Sequence, residues 1–342
     1  MLHGDQGAEM EQGGLTQIGD GVWAFMRPTG GWGETNTGLV VSPGAASLVV
    51  DTVWDVAWAK RISEVQRPLV AAAPVTEAVN THSDGDHWWG NDTLPSAARI
   101  TTSAASLDAM HEDLPPAALT ALATTGALIG RVPGPVGAAA AYVARVRSDA
   151  RFPRRTPRLP DRTFHTTHRL TVGDRTVELE RLGPCHTAGD VVAHVTDAGV
   201  VFTGDLLFVA STPILWNGPL DNWLVALDRL IRWDAAVYVP GHGPTGTVDD
   251  LRALRDYWWW LRDAGRDHHV RGSSVRQTAR ELARSNEFGR WSAWRSPERL
   301  VLSLSTLFDR WNGNPPGPPT VTRRARAFAD AETLLREGIF PQ

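Results

Sequence analysis

Apolar and polar positions along the chain change rhythm several times. Between residues 15 and 53, short apolar runs alternate with glycine turns, which predicts strands over Gly21-Val-Trp-Ala-Phe25, Thr37 to Val41 and Ser47 to Thr52. A helical spacing follows from Val56 to Gln66, then strands over Val75 to Asn80 and Ile100 to Thr102. From Ser103 to Val146 the pattern is alanine-rich and helical, broken at Pro115-Pro116 and at Pro133-Gly-Pro135. Arg151 to Arg162 reads as a proline- and arginine-rich loop. Strands resume over Thr163 to Leu170, Arg175 to Leu182, Val191 to Thr196 and Val200 to Thr203, followed by a helix over Asn222 to Ile231 and a strand over Ala236 to Val239. Beyond Val248 the spacing is helical to the end, interrupted at Asn312 to Pro319. Strand-rich blocks flanking a helical stretch predict a mixed α/β sandwich.

The domain boundaries follow from these changes. Residues 1–14, glycine-rich with acids at Asp5, Glu9 and Glu11, read as a disordered leader without a signal peptide. Residues 15–247 read as the main domain with a helical insert at about 103–160, and residues 248–342 as a tryptophan-rich helical extension.

Composition narrows the function by exclusion. A net charge of −4 and a pI near 6.3 give no reason to expect nucleic acid or an anionic membrane as partner. No apolar run reaches the ~18 residues of a membrane span. Cys185 is the only cysteine, so no internal disulfide forms, which fits a reducing cytoplasm. The basic run Arg145 to Arg162 reads as a solvated surface. Lys60 is the sole lysine and there are fifteen tryptophans, more than core packing ordinarily uses; an aromatic-lined pocket or a subunit contact would account for them.

The chemistry concentrates in Asn80-Thr-His-Ser-Asp-Gly-Asp-His-Trp-Trp-Gly-Asn91. His82, Asp84, Asp86 and His87 are too close in sequence to be buried together without a cation, because an unpaired buried carboxylate is costly. Gly85 gives the turn freedom to aim them. Asp51, His186, Asp205 and His242 each lie at the end of an apolar run or beside a glycine, where a rigid scaffold holds ligands. Imidazole with carboxylate suits zinc, iron or manganese.

In these residues the chain resembles the metallo-β-lactamase superfamily, whose pattern is an acid after an early strand, His-x-His-x-Asp-His, then a later His, Asp and His. The resemblance covers about residues 15 to 246. It implies a four-layer αββα sandwich with two divalent metals, zinc first and iron or manganese as alternatives. It places one metal on His82, Asp84 and His186, the second on Asp86, His87 and His242, with Asp205 bridging and Asp51 supporting from behind. The family's second histidine is Asp84 here, which makes His82, Asp84 and His186 a set of two histidines and a carboxylate, also seen around non-haem iron.

The expected function is a hydrolase using a metal-bound hydroxide to cleave an ester, thioester or lactone of an apolar or aromatic small molecule. Asp86 and Asp205 are the expected catalytic carboxylates, and Trp88 and Trp89 the expected substrate contacts. One alternative is a polyketide cyclase or thioesterase acting on a poly-carbonyl chain bound to an acyl carrier protein. Another is a di-iron oxygen-activating enzyme, although the flavodoxin-like pattern of such relatives is not seen after Val248. The helical tail, with Tyr257-Trp-Trp-Trp260 and Trp291-x-x-Trp294, is expected to cap the pocket or to join two copies into a homodimer, unless it simply packs on the sheet edge.

Overall fold

The computed structural model describes residues 13–27, 29–147 and 150–340; the leader expected over residues 1–14 lies almost wholly outside the described residues. The first half of the chain supplies β1 (Gly14–Gly19), β2 (Val22–Met26), β3 (Thr37–Ser42), β4 (Ala46–Val50), α1 (Val56–Val70), β5 (Val75–Val79) and β6 (Arg99–Ser103). Three helices follow, α2 (Ala104–Glu112), α3 (Pro116–Ile129) and α4 (Pro135–Arg147), interrupted at the prolines that the sequence places there. Then come β7 (Arg162–Phe164), β8 (Thr167–Val172), β9 (Arg175–Arg181), β10 (Val191–Val195), β11 (Val200–Phe208), α5 (Leu220–Trp233) and β12 (Val237–His242). The tail is α6 (Val248–Val270), α7 (Val275–Ala283), α8 (Arg299–Trp311) and α9 (Val321–Arg336).

The strands form a seven-stranded sheet in the order β1-β2-β3-β4-β5-β6-β7 and a five-stranded sheet in the order β12-β11-β10-β9-β8. Strand alternation shows how the layers stack. Along β10 and β11, Val191, Ala193, Val195, Val200 and Phe202 face the space between the sheets, where they meet Val22, Val40, Leu48 and Val50. The intervening Val192 and Val201 face outward, against Trp223 and Leu227 of α5 and Trp258 of α6. On the far side Leu39, Val41 and Val49 turn outward to Leu69 and Val70 of α1. Helix, sheet, sheet and helix are therefore the αββα layers, and strands covered on both faces explain the near-continuous apolar runs.

Two expectations are corrected. Thr163 to Leu170 is not one strand: β7 pairs in parallel with β6 in the first sheet, and β8 pairs antiparallel with β9 in the second. The chain changes sheet at His165-Thr166, and two polar residues within a β-prone run carry no local signal of that crossing. β11 extends past Thr203 to Phe208, with irregular pairing to β12 around Gly204.

The tail shares one core with the sandwich rather than forming a separate body. Tyr257, Trp258 and Leu261 of α6 are fully buried and join Trp291, Leu300, Leu304 and Leu334 in the cluster that covers β11 and β12. Neighbouring positions on a helix point ~100° apart, and Trp259, between two inward residues, is accordingly 41 % exposed.

Candidate metal centre

The strands that end at one edge of the sandwich bring the candidate ligands together. Asp51 follows β4, the 82–87 turn follows β5, His186 sits in the loop between β9 and β10, Asp205 lies on the irregular part of β11, and His242 closes β12. All four histidines and Asp205 are buried, the least so at 4 % exposure. Asp84 is the most open candidate, with its side chain 33 % exposed.

The turn over residues 82–87 is held by backbone and side-chain bonds on every side. The His87 carbonyl accepts from Thr52 N at 3.0 Å and from Asn80 Nδ2 at 3.0 Å. Asn91 Nδ2 donates to Asn80 Oδ1 at 2.9 Å, which fixes the amide that does this holding. Trp88 Nε1 donates to the Ser83 carbonyl at 2.9 Å. Gly85 is required here by contact: a Cβ at this position would lie 2.4 Å from the Trp89 ring. That corrects the expectation that backbone freedom is what the glycine supplies.

Each histidine has its Nδ1 engaged away from the centre. His87 Nδ1 donates to Asp51 Oδ2 at 2.8 Å, His186 Nδ1 to the Ile214 carbonyl at 2.7 Å, and His242 Nδ1 to the Glu34 carbonyl at 3.2 Å. Thr81 Oγ1 gives its one proton to Asp51 Oδ2 at 2.7 Å, so it accepts from His82 Nδ1 at 3.0 Å. With every Nδ1 protonated, Nε2 is the atom that each ring turns inward, and it offers a lone pair once that ring is neutral.

Those inward nitrogens meet carboxylate oxygens. Asp205 lies centrally, 3.1 Å from His87 Nε2, 3.2 Å from His186 Nε2 and 3.5 Å from His242 Nε2. Asp84 Oδ2 is 3.1 Å from His186 Nε2, and Asp86 Oδ2 is 3.5 Å from His242 Nε2. Three sets of ligand atoms lie within 4.8 Å of one another and could hold a metal: His82, Asp84 and His186; Asp86, His87 and His242; and His82, His87 and Asp205. His82 Nε2, His87 Nε2 and Asp205 Oδ1 are buried without a well-formed hydrogen bond, with His87 Nε2 3.1 Å from Asp205 Oδ1. Lone pairs aimed at lone pairs are tolerated only with a proton or a cation between them, so this donor set fits a metal.

The electrostatics show how tightly the groups are coupled. Burial alone would lower His87 and His186, but neighbouring carboxylates outweigh it: Asp205 and Asp51 raise His87 well above the usual range, and Asp205 and Asp84 push His186 to about 9. Burial, reinforced by His87, holds His82 well below the usual range and therefore neutral. Burial opposes ionisation of Asp205, yet His242, His87 and His186 keep it far below the ordinary carboxylate range.

Other groups were not visible in the sequence. Thr35 Oγ1 donates to Asp86 Oδ2 at 3.0 Å from 51 residues away, and only the fold brings them together. Thr81 could have been noticed as the residue leading into His82. Asp190 accepts from Cys185 N at 3.0 Å, Thr187 N at 3.0 Å and Thr187 Oγ1 at 2.7 Å, and so fixes the loop that carries His186. Trp88 and Trp89, expected at the substrate, are each 2 % exposed and pack with Trp54, Met110 and Leu119. Their bulk goes into supporting the histidine turn. The Arg145 to Arg162 run is likewise more than a solvated face, since Arg147 has a buried Nη1 and lies 4.9 Å over the Trp54 ring.

Comparison with known proteins agrees with this arrangement. Among curated proteins none matches the sequence. A metallo-beta-lactamase from Pontibacter korlensis superimposes with a TM-score of 0.52 at 21 % identity, over 72 % of this chain and 99 % of that one. The stereoselective inverting sec-alkylsulfatase Pisa1 from Pseudomonas sp. superimposes with a TM-score of 0.65 at 15 % identity, over 88 % of this chain but only 50 % of its own. At these identities the likeness concerns the fold. The sequence model of the metallo-beta-lactamase superfamily matches residues 30–242, which spans Asp51 and every candidate ligand from His82 to His242, and the chain belongs to that superfamily.

Proposed function

We propose that this centre is a hydrolase site acting on an ester, thioester or lactone of a small apolar or aromatic molecule. The observation that carries the reading is the convergence of four Nε2 atoms, each fixed from behind, on three carboxylates at a buried sheet edge. A divalent metal bound here, zinc first among the candidates, would supply a water of pKa about 7 and polarise the scissile carbonyl.

The chain's own residues do the rest. His82, Asp84 and His186 would hold one ion, and Asp86, His87 and His242 another, with Asp205 between them. Thr35 fixes the rotation of the Asp86 carboxylate through its 3.0 Å bond. Asp86, with a side chain 13 % exposed against 5 % for Asp205, is the better placed of the two to receive and return a proton. The resemblance to a sec-alkylsulfatase adds alkyl sulfate esters to the substrates worth testing.

A panel of p-nitrophenyl esters, acyl thioesters, lactones and alkyl sulfates tests the reading. Hydrolysis that a chelator abolishes and added metal restores is expected; turnover unaffected by chelation would overturn it. A second reading, oxygen activation by iron, has one observation in its favour, the two-histidine, one-carboxylate set of His82, Asp84 and His186. Protein purified without added metal that carries zinc alone would dismiss it.

A further inference from the structure

Two arginines beside the centre lack the partners that buried guanidinium groups ordinarily have. Arg147, at the end of α4, has a buried Nη1 without a hydrogen bond, and Arg324, in α9, has a buried Nε in the same condition. Neither enters an ion pair among the described residues. Each lies over an aromatic ring: Arg147 is 4.9 Å from Trp54 and 5.6 Å from Phe152, and Arg324 is 5.3 Å from Trp216. A ring face steadies a guanidinium and leaves its forked N–H donors unused.

The rings place these cations on two sides of the metal-ligand turns. Trp54 packs at 6.4 Å against Trp89, whose ring lies against Gly85 of the 82–87 turn. Trp216 precedes Asn217, whose N donates to the His186 carbonyl at 3.1 Å. Asp84, on the first of those turns, reaches His186 Nε2 on the second at 3.1 Å and is the most exposed of the candidate ligands. The charges bearing on Arg147 are the attractive Asp86, Asp113 and Asp84 and the repulsive Arg324, and the helices that carry the two arginines pack together, with Tyr142 of α4 5.1 Å from Phe328 of α9. Asp84 and Asp86 belong to the candidate metal triads, which leaves Asp113 as the remaining nearby anion, and burial raises its carboxyl above the ordinary range. Two like charges held near each other and only partly compensated invite an anion.

We propose that Arg147 and Arg324 form a clamp for an oxyanion group at the mouth of the centre, so that the substrate is an anion with an apolar body lying along the half-buried Phe152 and Trp216. The clamp rests on the hydrolase reading for its purpose, though not for its existence. Carboxylate, phosphate and sulfate share the required chemistry: two or three oxygens able to accept from both guanidinium forks. The aromatic walls set the other requirement, because they favour a chain or ring over a free inorganic ion.

Isothermal titration of the metal-loaded full-length protein tests this without turnover. The probes are octanoate, octyl phosphate and 1-octanesulfonate, with n-octyl glucoside as the neutral control. At least one anion is expected to bind about tenfold or more tightly than the glucoside, and Arg147→Gln with Arg324→Gln to remove that preference, as loss of a charged hydrogen-bond partner does. The single Arg324→Gln variant, at a half-buried position, covers the case in which the double variant does not fold. Arg147→Lys keeps the charge but not the fork and is expected to bind the anion at intermediate strength. Equal affinity for anion and glucoside, or an anion preference unchanged in folded Arg→Gln variants, would overturn the clamp. Arginine-dependent anion binding in a protein that hydrolyses none of the panel would keep the clamp and overturn the hydrolase reading instead.

Discussion

Asp51 holds His87 from behind: its Oδ2 accepts from His87 Nδ1 at 2.8 Å, while its Oδ1 accepts from Thr81 N at 2.7 Å. To do so Asp51 adopts a left-handed backbone, φ 59°, a conformation disfavoured for a residue with a side chain. The strain persists because one carboxylate orients both the His82 and the His87 ends of the turn. Asp51→Ala is expected to lower metal affinity about 10–100-fold, the usual effect of losing a group that orients a ligand. Asp51→Asn should lose less. Chelator competition measures both, and unchanged affinity in the alanine variant would remove Asp51 from this role.

Asp84 Oδ2 reaches His186 Nε2 at 3.1 Å. Asp84→Ala is expected to reduce the metal content of the purified protein by about one ion per chain, since a three-ligand site then keeps two. Asp84→His should restore it and shift preference toward zinc. Elemental analysis reads the outcome; equal content in wild type and Asp84→Ala would show that Asp84 is not a ligand.

The pH dependence of metal binding follows from the raised histidines. Ligation requires neutral imidazole, and burial fails to neutralise His186 in the metal-free protein because Asp205 and Asp84 push it to about 9. Metal affinity is therefore expected to rise with pH, by about tenfold per unit for each displaced proton, up to about pH 9. Stability of the metal-free protein should move the other way. A folded-state pKa above the unfolded value of about 6.5 stabilises fully below 6.5, and that contribution is lost as pH rises through about 9. His82, held neutral, acts in the opposite sense only below about 6.5. A metal-free melting temperature that climbs between pH 6.5 and 9 would contradict this assignment.

The tail is expected to be indispensable for folding. Trp258→Ala removes a fully buried ring that lies 4.8 Å from Trp223 and should cost about 3–5 kcal/mol. Trp259→Ala, at a 41 % exposed position, should change the melting temperature little. Ending the chain before Val248 would bare Trp223, Leu227 and Tyr238, so an insoluble or unfolded product is expected. A soluble, active truncated protein would show that the sandwich stands without the tail.

Most of the strands and helices, a mixed α/β sandwich and the ligand candidates were legible in the sequence alone. Apolar periodicity is set by which face of each element is buried, and the metal chemistry is written in residue types with little other reason to cluster. Local pattern could not say where β7 hands over to β8, because His165 and Thr166 suit either sheet. Only the tertiary structure decided that Trp88 and Trp89 brace the histidine turn, that Thr35 meets Asp86, and that Arg147 and Arg324 lie over Trp54 and Trp216 from helices far apart in the chain. Those pairings depend on loop closure and on packing between layers, and neither leaves a periodic trace in the residues themselves.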